Sequence, residues 1–449
     1  MHALALTALL VTGVFNSLVP HPGDQEGKAA VPTSYGCIVA GNTPAGGSGD
    51  TQVLLAGFDN AGELLWVDSL IRGRSCNLIS MTAVEGGMVI TGSMTEEEVG
   101  VMAMALFVDE NGQVLWEYRN RLSNEHFTSA CQGVDGTILC AGGTTNEGAG
   151  GFDVVMAAMD PDGTLLWRKT LGTAEEETAH HVAPCADGGY IISGLAMGWG
   201  AGLGDYWIIR TDSQGDTLWS TTCGGPQFDY PWRTIQHGDC FYVTGSTLSF
   251  GMGSYDWWVL KLDDQGAIIW DTVWGNKGTD TSMALTVSEG RAVAAGYSEP
   301  ETGNIVQTVV LFGEEDGEVL DEWVYDAGLV RQITELPGGG FLLGGSGILI
   351  GEDVMAKEID AQGNCPPLGI GGSVTPNAPV LSPNPACSMA LFRTSPGATA
   401  VQVFDLSGRL VWEGAPADGS LQLDVTGFRT GVYLVSDGVA LPSRLVVLR

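Results

Sequence analysis

Short apolar runs rich in Val, Ile, Leu and Tyr recur along this chain, each closed by glycine and set off from the next by clusters of Gly, Asp, Asn and Ser. Seven share one form: YGCIVAG ending at Gly41, GGMVITG at Gly92, GTILCAG at Gly142, GGYIISG at Gly194, DCFYVTG at Gly245, RAVAAG at Gly296 and GGFLLGG at Gly345. Successive closing glycines lie 51, 50, 52, 51, 51 and 49 residues apart. A second marker keeps the same beat, an acidic residue followed by Gly three positions on and Trp four beyond that. It reads Asp59/Gly62/Trp66, Asp109/Gly112/Trp116, Asp160/Gly163/Trp167, Asp212/Gly215/Trp219 and Asp263/Gly266/Trp270. A fixed period of this size marks stacked or radial copies of one supersecondary unit.

Unit four, His180 to Gly225, shows what one copy contains. Four β-type runs are separated by Asp187-Gly188-Gly189, a glycine-rich loop and Asp212-Ser213-Gln214-Gly215. Runs of this length bounded by such turns predict strands and hairpins, and no stretch carries a helical period. Four antiparallel strands about every 51 residues predict an all-β fold, a seven-bladed β-propeller over residues 30–368. The ends count less evenly. Unit one lacks an evident first strand, and strand four is found in only six units, with Asp321 where the sixth Trp is expected and the seventh unit running into Asn364-Cys365-Pro366-Pro367. The 26 strands found are therefore two short of seven full blades. Either the termini pair across the closing blade or residues before Tyr35 supply the missing strand.

Charge narrows the partners. The 449 residues hold 19 Lys and Arg against 53 Asp and Glu, a formal charge of -34. Residues 381–449 balance five Arg against five acidic residues, so the propeller carries the whole excess. A field of that sign repels phosphate backbones and anionic lipid heads, which argues against nucleic acid as a partner. Ala3 to Phe15 is an apolar run of signal-peptide length, too short to span a bilayer; residues 1–22 read as an atypical signal peptide without Lys or Arg. No transmembrane span is expected. Nine cysteines lack metal-type spacing, and Cys131 and Cys140 flank Asp135-Gly136 so as to face each other across one hairpin, where export would permit a disulfide.

After a Pro- and Gly-rich linker, residues 369–380, the pattern changes. Leu381-Ser-Pro-Asn384-Pro385 precedes VQVFDLSGRLVW (Val401 to Trp412), LDVTGFRTGVYLV (Leu423 to Val435) and the basic-ended RLVVLR (Arg444 to Arg449). Alternating strands joined by Ser-Gly and Thr-Gly turns form a small all-β module. It resembles the C-terminal sorting domain of proteins exported by the type IX secretion system, matching at Asn384, Pro385, Asp405, Gly408, Arg409, Gly431, Tyr433 and Arg449. Phe428-Arg429 departs slightly from that pattern. The resemblance implies an immunoglobulin-like β-sandwich over 381–449, the type IX secretion machinery as partner, and a secreted or outer-surface location. The repeats in turn resemble glycine-rich propeller repeats of exported bacterial proteins, unit four from Asp187 to Trp219 above all. The Asp/Gly/Trp element is similar to the tryptophan-docking motif of quinoprotein propellers, but spacing and blade number differ. Shared packing accounts for it better than a quinone site: Asp and Gly make the turn and Trp wedges between blades.

Catalytic constellations are scarce. No Gly-x-Ser-x-Gly elbow, HExxH or Walker loop is present. His180 and His181, adjacent on a strand, are expected on opposite faces. Asp160-Pro161-Asp162-Gly163 imitates part of a calcium loop but lacks the downstream Glu, so turn chemistry is favoured, no cofactor is expected and Ca2+ stays open. Candidate ligand-binding residues come from geometry. Loops between strands two and three, and connections from strand four to the next unit, share one face of an antiparallel meander. Those segments, or the residues just after them, carry Trp199, Tyr206, Phe250 and Tyr255 in the first set and Phe228, Asp229, Tyr230 and Trp232 in the second. Aromatic rings among glycines suit stacking on sugars or a protein hot spot, against the competing role of blade-to-blade packing. The reading is a surface binding or adhesion module for glycan or protein; the alternative is an exported hydrolase or lyase using carboxylates at the channel mouth.

Overall fold

The computed structural model describes residues 16–19, 25–44, 50–70, 74–300, 305–337, 339–348, 352–365, 380–382, 389–393, 400–405, 409–416, 420–428, 431–436 and 443–447. Among them every regular element is a β-strand, and the repeats build a β-propeller. Units one to five each give a separate four-stranded antiparallel sheet, over residues 26–70, 75–119, 125–171, 177–223 and 229–274, with strands in chain order. Units six and seven share one seven-stranded sheet, so six sheets are found where seven separate ones were expected. The physical reason is one uninterrupted strand: Val319–Glu335 pairs with Val306–Gly313 through its first half and with Phe341–Ile348 through its second.

Both routes to completing the ring are used. Glu26–Pro32 supplies the first strand of unit one. Asn16–Val19 adds an outermost strand to unit seven, with Asn16 opposite Lys357 and Val19 opposite Val354. Apolar cores lie between neighbouring units. At the closure Ala30, Val39 and Leu54 of unit one pack against Leu342, Val354 and Ala356 of unit seven.

The Asp/Gly/Trp marker explains how the units dock. At the turn glycine φ is +81° in Gly163 and +78° in Gly215, backbone that a Cβ disfavours. The Asp160 carboxylate accepts the N–H groups of Asp162 and Thr164 at 3.0 and 2.8 Å, as a turn residue does. Each Trp lies over the turn glycine of the next unit: Trp66 over Gly112, Trp116 over Gly163, Trp167 over Gly215 and Trp219 over Gly266. The indole N–H groups of Trp116 and Trp219 donate to the Pro161 and Asp264 carbonyls, both at 2.9 Å. In unit six Asp321 does occupy the usual Trp register, yet Trp323, two residues on, covers Gly363 in its place.

Two local expectations are corrected. Cys140 pairs with Ala130, and Cys131 with Leu139, so the two thiols leave opposite faces of the sheet into different cores and stay free. A one-residue register offset flips every side chain of a strand. His180 and His181 do not alternate either, because the pairing skips His180 at a β-bulge.

The tail holds two sheets. Val380–Ser382, Met389–Arg393 and Ser420–Asp424 make one; Leu410–Gly414, Val401–Asp405, Gly431–Ser436 and Ser443–Val447 make the other. Val401, Val403, Tyr433 and Val435 share a core with Leu423 and Val425. Asp405 pairs with Tyr433, which is buried, and Gly431 pairs with Val447; Arg409 is exposed. Phe428 packs on Tyr433 with ring centroids 5.0 Å apart, so the departure at 428 fills the core. Asn384, Pro385, Gly408 and Arg449 lie outside the described residues.

Candidate functional site at the channel mouth

One face of the ring is built by buried carboxylates. Asp153, Asp205 and Asp256 occupy the same place in units three, four and five and tie down the glycine-rich loop before the third strand. Asp205 accepts the N–H groups of Ala201 and Gly202 at 2.5 and 3.2 Å, and Asp256 those of Met252 and Gly253 at 3.0 and 3.1 Å. The first residue of the next innermost strand does the same for the interblade connection. Glu177 accepts from Thr173 N–H and from Trp199 Nε1, both at 2.8 Å, and Asp229 from Gly225 N–H and Ser249 Oγ, both at 2.8 Å. Burial first, and then the neighbouring Asp229, push the Asp205 carboxyl upward against the pull of its two amides. The recurrence of Asp153, Asp205 and Asp256 at the repeat period was a readable signal that sequence reasoning missed.

Held on that frame is a cavity of about 320 Å³ lined by His126, Phe152, Thr178, Leu195, Met197, Phe228 and Tyr230, with Glu176 and Glu177. His126, Thr178 and Tyr230 are each second in their innermost strand. Of the eight aromatic and acidic candidates, two line this cavity: Phe228 and Tyr230, stacked with centroids 5.7 Å apart at 14°. Tyr255 leans on Tyr230 at 6.0 Å. Trp199, half-buried, packs edge-on to Trp207. Trp232 and Phe250 are exposed at 37% and 40%, Phe250 lying against Trp258. Tyr206 and Asp229 have no exposed surface; the Tyr206 hydroxyl donates to the Trp258 carbonyl at 3.3 Å, and Asp229 holds loops. His126, Phe152, Thr178, Leu195 and Met197 were not foreseen.

Deeper in the channel the innermost strands carry a second recurrent feature. Each has a register shift at the same place, where the strand register skips Lys28, Ile79, Thr128, His180, Trp232, Met283 and Arg331. Thr128 Oγ1 donates to the Ala179 carbonyl at 2.8 Å, and His180 Nδ1 to the Pro231 carbonyl at 2.6 Å, so that nitrogen carries the ring proton. The His180 ring stacks on Trp232 at 5.1 Å and 18°. Burial drives the His180 imidazole down to about 4 against the raising effect of the Pro231 bond, and His126 nearby lowers it further. Glu26 anchors Arg331 at 2.7 Å and Lys28 at 2.5 Å. Among the described residues no three His, Cys, Asp or Glu side chains converge as metal ligands.

Residues 381–437 match the family model described as Secretion system C-terminal sorting domain. The chain carries a type IX secretion sorting domain. With that tail it is a secreted or cell-surface protein whose C-terminal domain engages the type IX secretion machinery. No curated protein matches the sequence. Among solved structures, a mitotic checkpoint complex chain is 9% identical, covering 78% of this chain and 93% of its own, with a TM-score of 0.50. The WD40 β-propeller domain of Doa1 is 13% identical over 77% of this chain and 97% of its own, at 0.48. Quinohemoprotein alcohol dehydrogenase from Comamonas testosteroni is 12% identical over 74% and 68%, at 0.45. The likeness to the checkpoint chain, at 9% identity, speaks to fold and not to activity. No helix among the described residues is long and apolar enough to cross a membrane.

Proposed function

We propose that the protein is a binding or adhesion module delivered to the cell surface, and that its ligand, a glycan or protein, seats at the channel mouth of units three to five. The observation that carries this is the cavity lined by Phe152, Phe228 and Tyr230 on the face where the variable loops meet. Aromatic walls with a few polar groups, His126 and Thr178, are the composition of a ligand pocket. Next to it Tyr255 leans on Tyr230 and Trp199 bonds the cavity-lining Glu177, while Trp232 and Phe250 stand exposed. Alanine variants of Phe228, Tyr230, Trp232, Trp199 and Phe250 are tested for glycan-array and cell-surface binding. Unchanged binding together with lowered thermal stability at every position makes them packing residues and ends the reading.

The module is read as a ring of seven blades over residues 30–368, followed by a linker and an immunoglobulin-like sandwich over 381–449; the signal peptide expected in 1–22 overlaps Asn16–Val19, so for that strand to pair with unit seven the leader must end before Asn16. Seven blades are supported by seven bulged innermost strands and by the change of partner halfway along Val319–Glu335. The alternative, a hydrolase or lyase using channel-mouth carboxylates, draws on the proximity of Asp205 to Asp229 and of Asp256 to Asp280. The binding reading is preferred because Asp205, Asp229 and Asp256 are occupied in bonding loop backbone. A Ca2+ requirement would be seen as loss of thermal stability on chelation.

A further inference from the structure

Just inside the bulge, Arg233 follows Trp232 on the innermost strand of unit five, and His181 follows His180 on that of unit four. Arg233 is deep in the molecule yet part of its surface stays reachable, the combination expected of a group lining a narrow channel. Its guanidinium makes no hydrogen bond or ion pair among the described residues, and its Nε is buried without a partner. Burial alone lowers it to about 10, with no carboxylate near enough to oppose the effect. Burial first, and then the same charge, press His181 well below its usual value, and His181 Nδ1 accepts the Thr234 N–H at 3.4 Å, so that ring is neutral. In so acidic a chain, a buried guanidinium with no carboxylate partner among the described residues is a costly arrangement. An arginine fork matches a carboxylate in two parallel bonds.

Resting on the binding reading above, we infer that Arg233 receives the carboxylate of an acidic sugar whose ring lies on the flat Trp232/His180 stack. The sugar class follows from the pairing of the exposed Trp232 ring, backed face to face by His180, with one buried cation. Tyr230, at the cavity, precedes Arg233 by three residues, about 10 Å along an extended strand. The cavity lining stops at Tyr230, so a ligand reaching Arg233 must continue past the cavity over that distance.

The experiment uses the full chain, trigalacturonate and its methyl ester, with affinities from calorimetry for the native protein and for Arg233→Gln, Arg233→Lys and Tyr230→Ala. The native protein is expected to bind the acid at least tenfold more tightly than the ester. Arg233→Gln should erase that preference, Arg233→Lys should restore part of it, and unliganded Arg233→Gln should melt no lower than the native protein. Equal affinity for acid and ester, or no binding of either, overturns the inference, as does a melting point several degrees lower in Arg233→Gln, which makes the arginine structural. Acid and ester bound equally by the native protein, with both lost in Tyr230→Ala, would leave the binding reading standing and this inference refuted. Acid-selective binding lost in Arg233→Gln but kept in Tyr230→Ala would do the reverse.

Discussion

Replacing Gly215 by alanine isolates the forward docking of one unit on the next. At φ +78° an alanine costs about 1–2 kcal/mol of backbone strain. Its Cβ would also stand 2.6 Å from the Trp167 ring, so the indole must shift by about 1 Å, an overpacking cost of about 1–3 kcal/mol. The sum is about 3 kcal/mol. Gly238 is the control, because it has φ +59° and no atom within 4 Å of its Cβ, leaving the backbone strain alone, about 1 kcal/mol after the unfolded chain's lost freedom is set against it. At about 2.1 cal/mol/K of unfolding entropy per residue, a propeller of about 340 residues shifts by about 1.4 °C per kcal/mol. Calorimetry should therefore place Gly215→Ala about 4 °C below the native chain and Gly238→Ala about 1 °C below. In a Trp167→Ala background the clash is gone and Gly215→Ala should cost no more than Gly238→Ala. Equal shifts for the two glycines in the native background, or the same Gly215→Ala shift with and without Trp167, would show that the wedge does not brace the interface.

Acid should loosen the channel. His180, held near 4 when folded and close to 6.5 when unfolded, takes up protons preferentially in the unfolded chain, so stability is complete above pH 6.5 and falls, by at most about 3 kcal/mol, as pH drops toward 4; His180→Gln should flatten that slope in urea titrations. Glu358 has the opposite sign. Burial raises it to about 7, so its ionisation costs stability as pH climbs from 4.5 toward 7, and Glu358→Gln should raise the unfolding midpoint at pH 8 while leaving it unchanged at pH 4. Deleting Arg444 to Arg449 removes most of the strand paired with Gly431–Ser436 and should abolish export while calorimetry still finds the propeller transition; secretion at native levels would contradict the sorting role.

What could be read from the sequence is what repeats in residue type: the glycine-ended strands, the Asp/Gly/Trp turn, and the tail motifs around Asp405 and Tyr433. What escaped was set by backbone register. The bulge that turns His180 onto Trp232 leaves no mark in the letters, and alternation was the wrong rule there for that reason. Cys131 and Cys140 look symmetric about Asp135-Gly136, yet the hairpin closes between Gly133 and Thr137 and separates them. Asn16–Val19 sits just behind an apolar leader-like run, which masked its part in the ring. Phe228 and Tyr230 were found because aromatic residues in glycine-rich loops stand out. His126, Thr178 and Leu195 were not, because only the curvature of the ring brings strands 50 residues apart to one rim.

The tryptophan-to-glycine contact has one direction, from each unit onto its successor. A copy that brings its own indole and its own turn glycine therefore arrives with both halves of a joint that every other copy already uses. Such a chain can lengthen or shorten by gene duplication or loss with its internal joints unchanged, and what must be remade is the seam, where Asn16–Val19 pairs with unit seven and Ala30, Val39 and Leu54 meet Leu342, Val354 and Ala356.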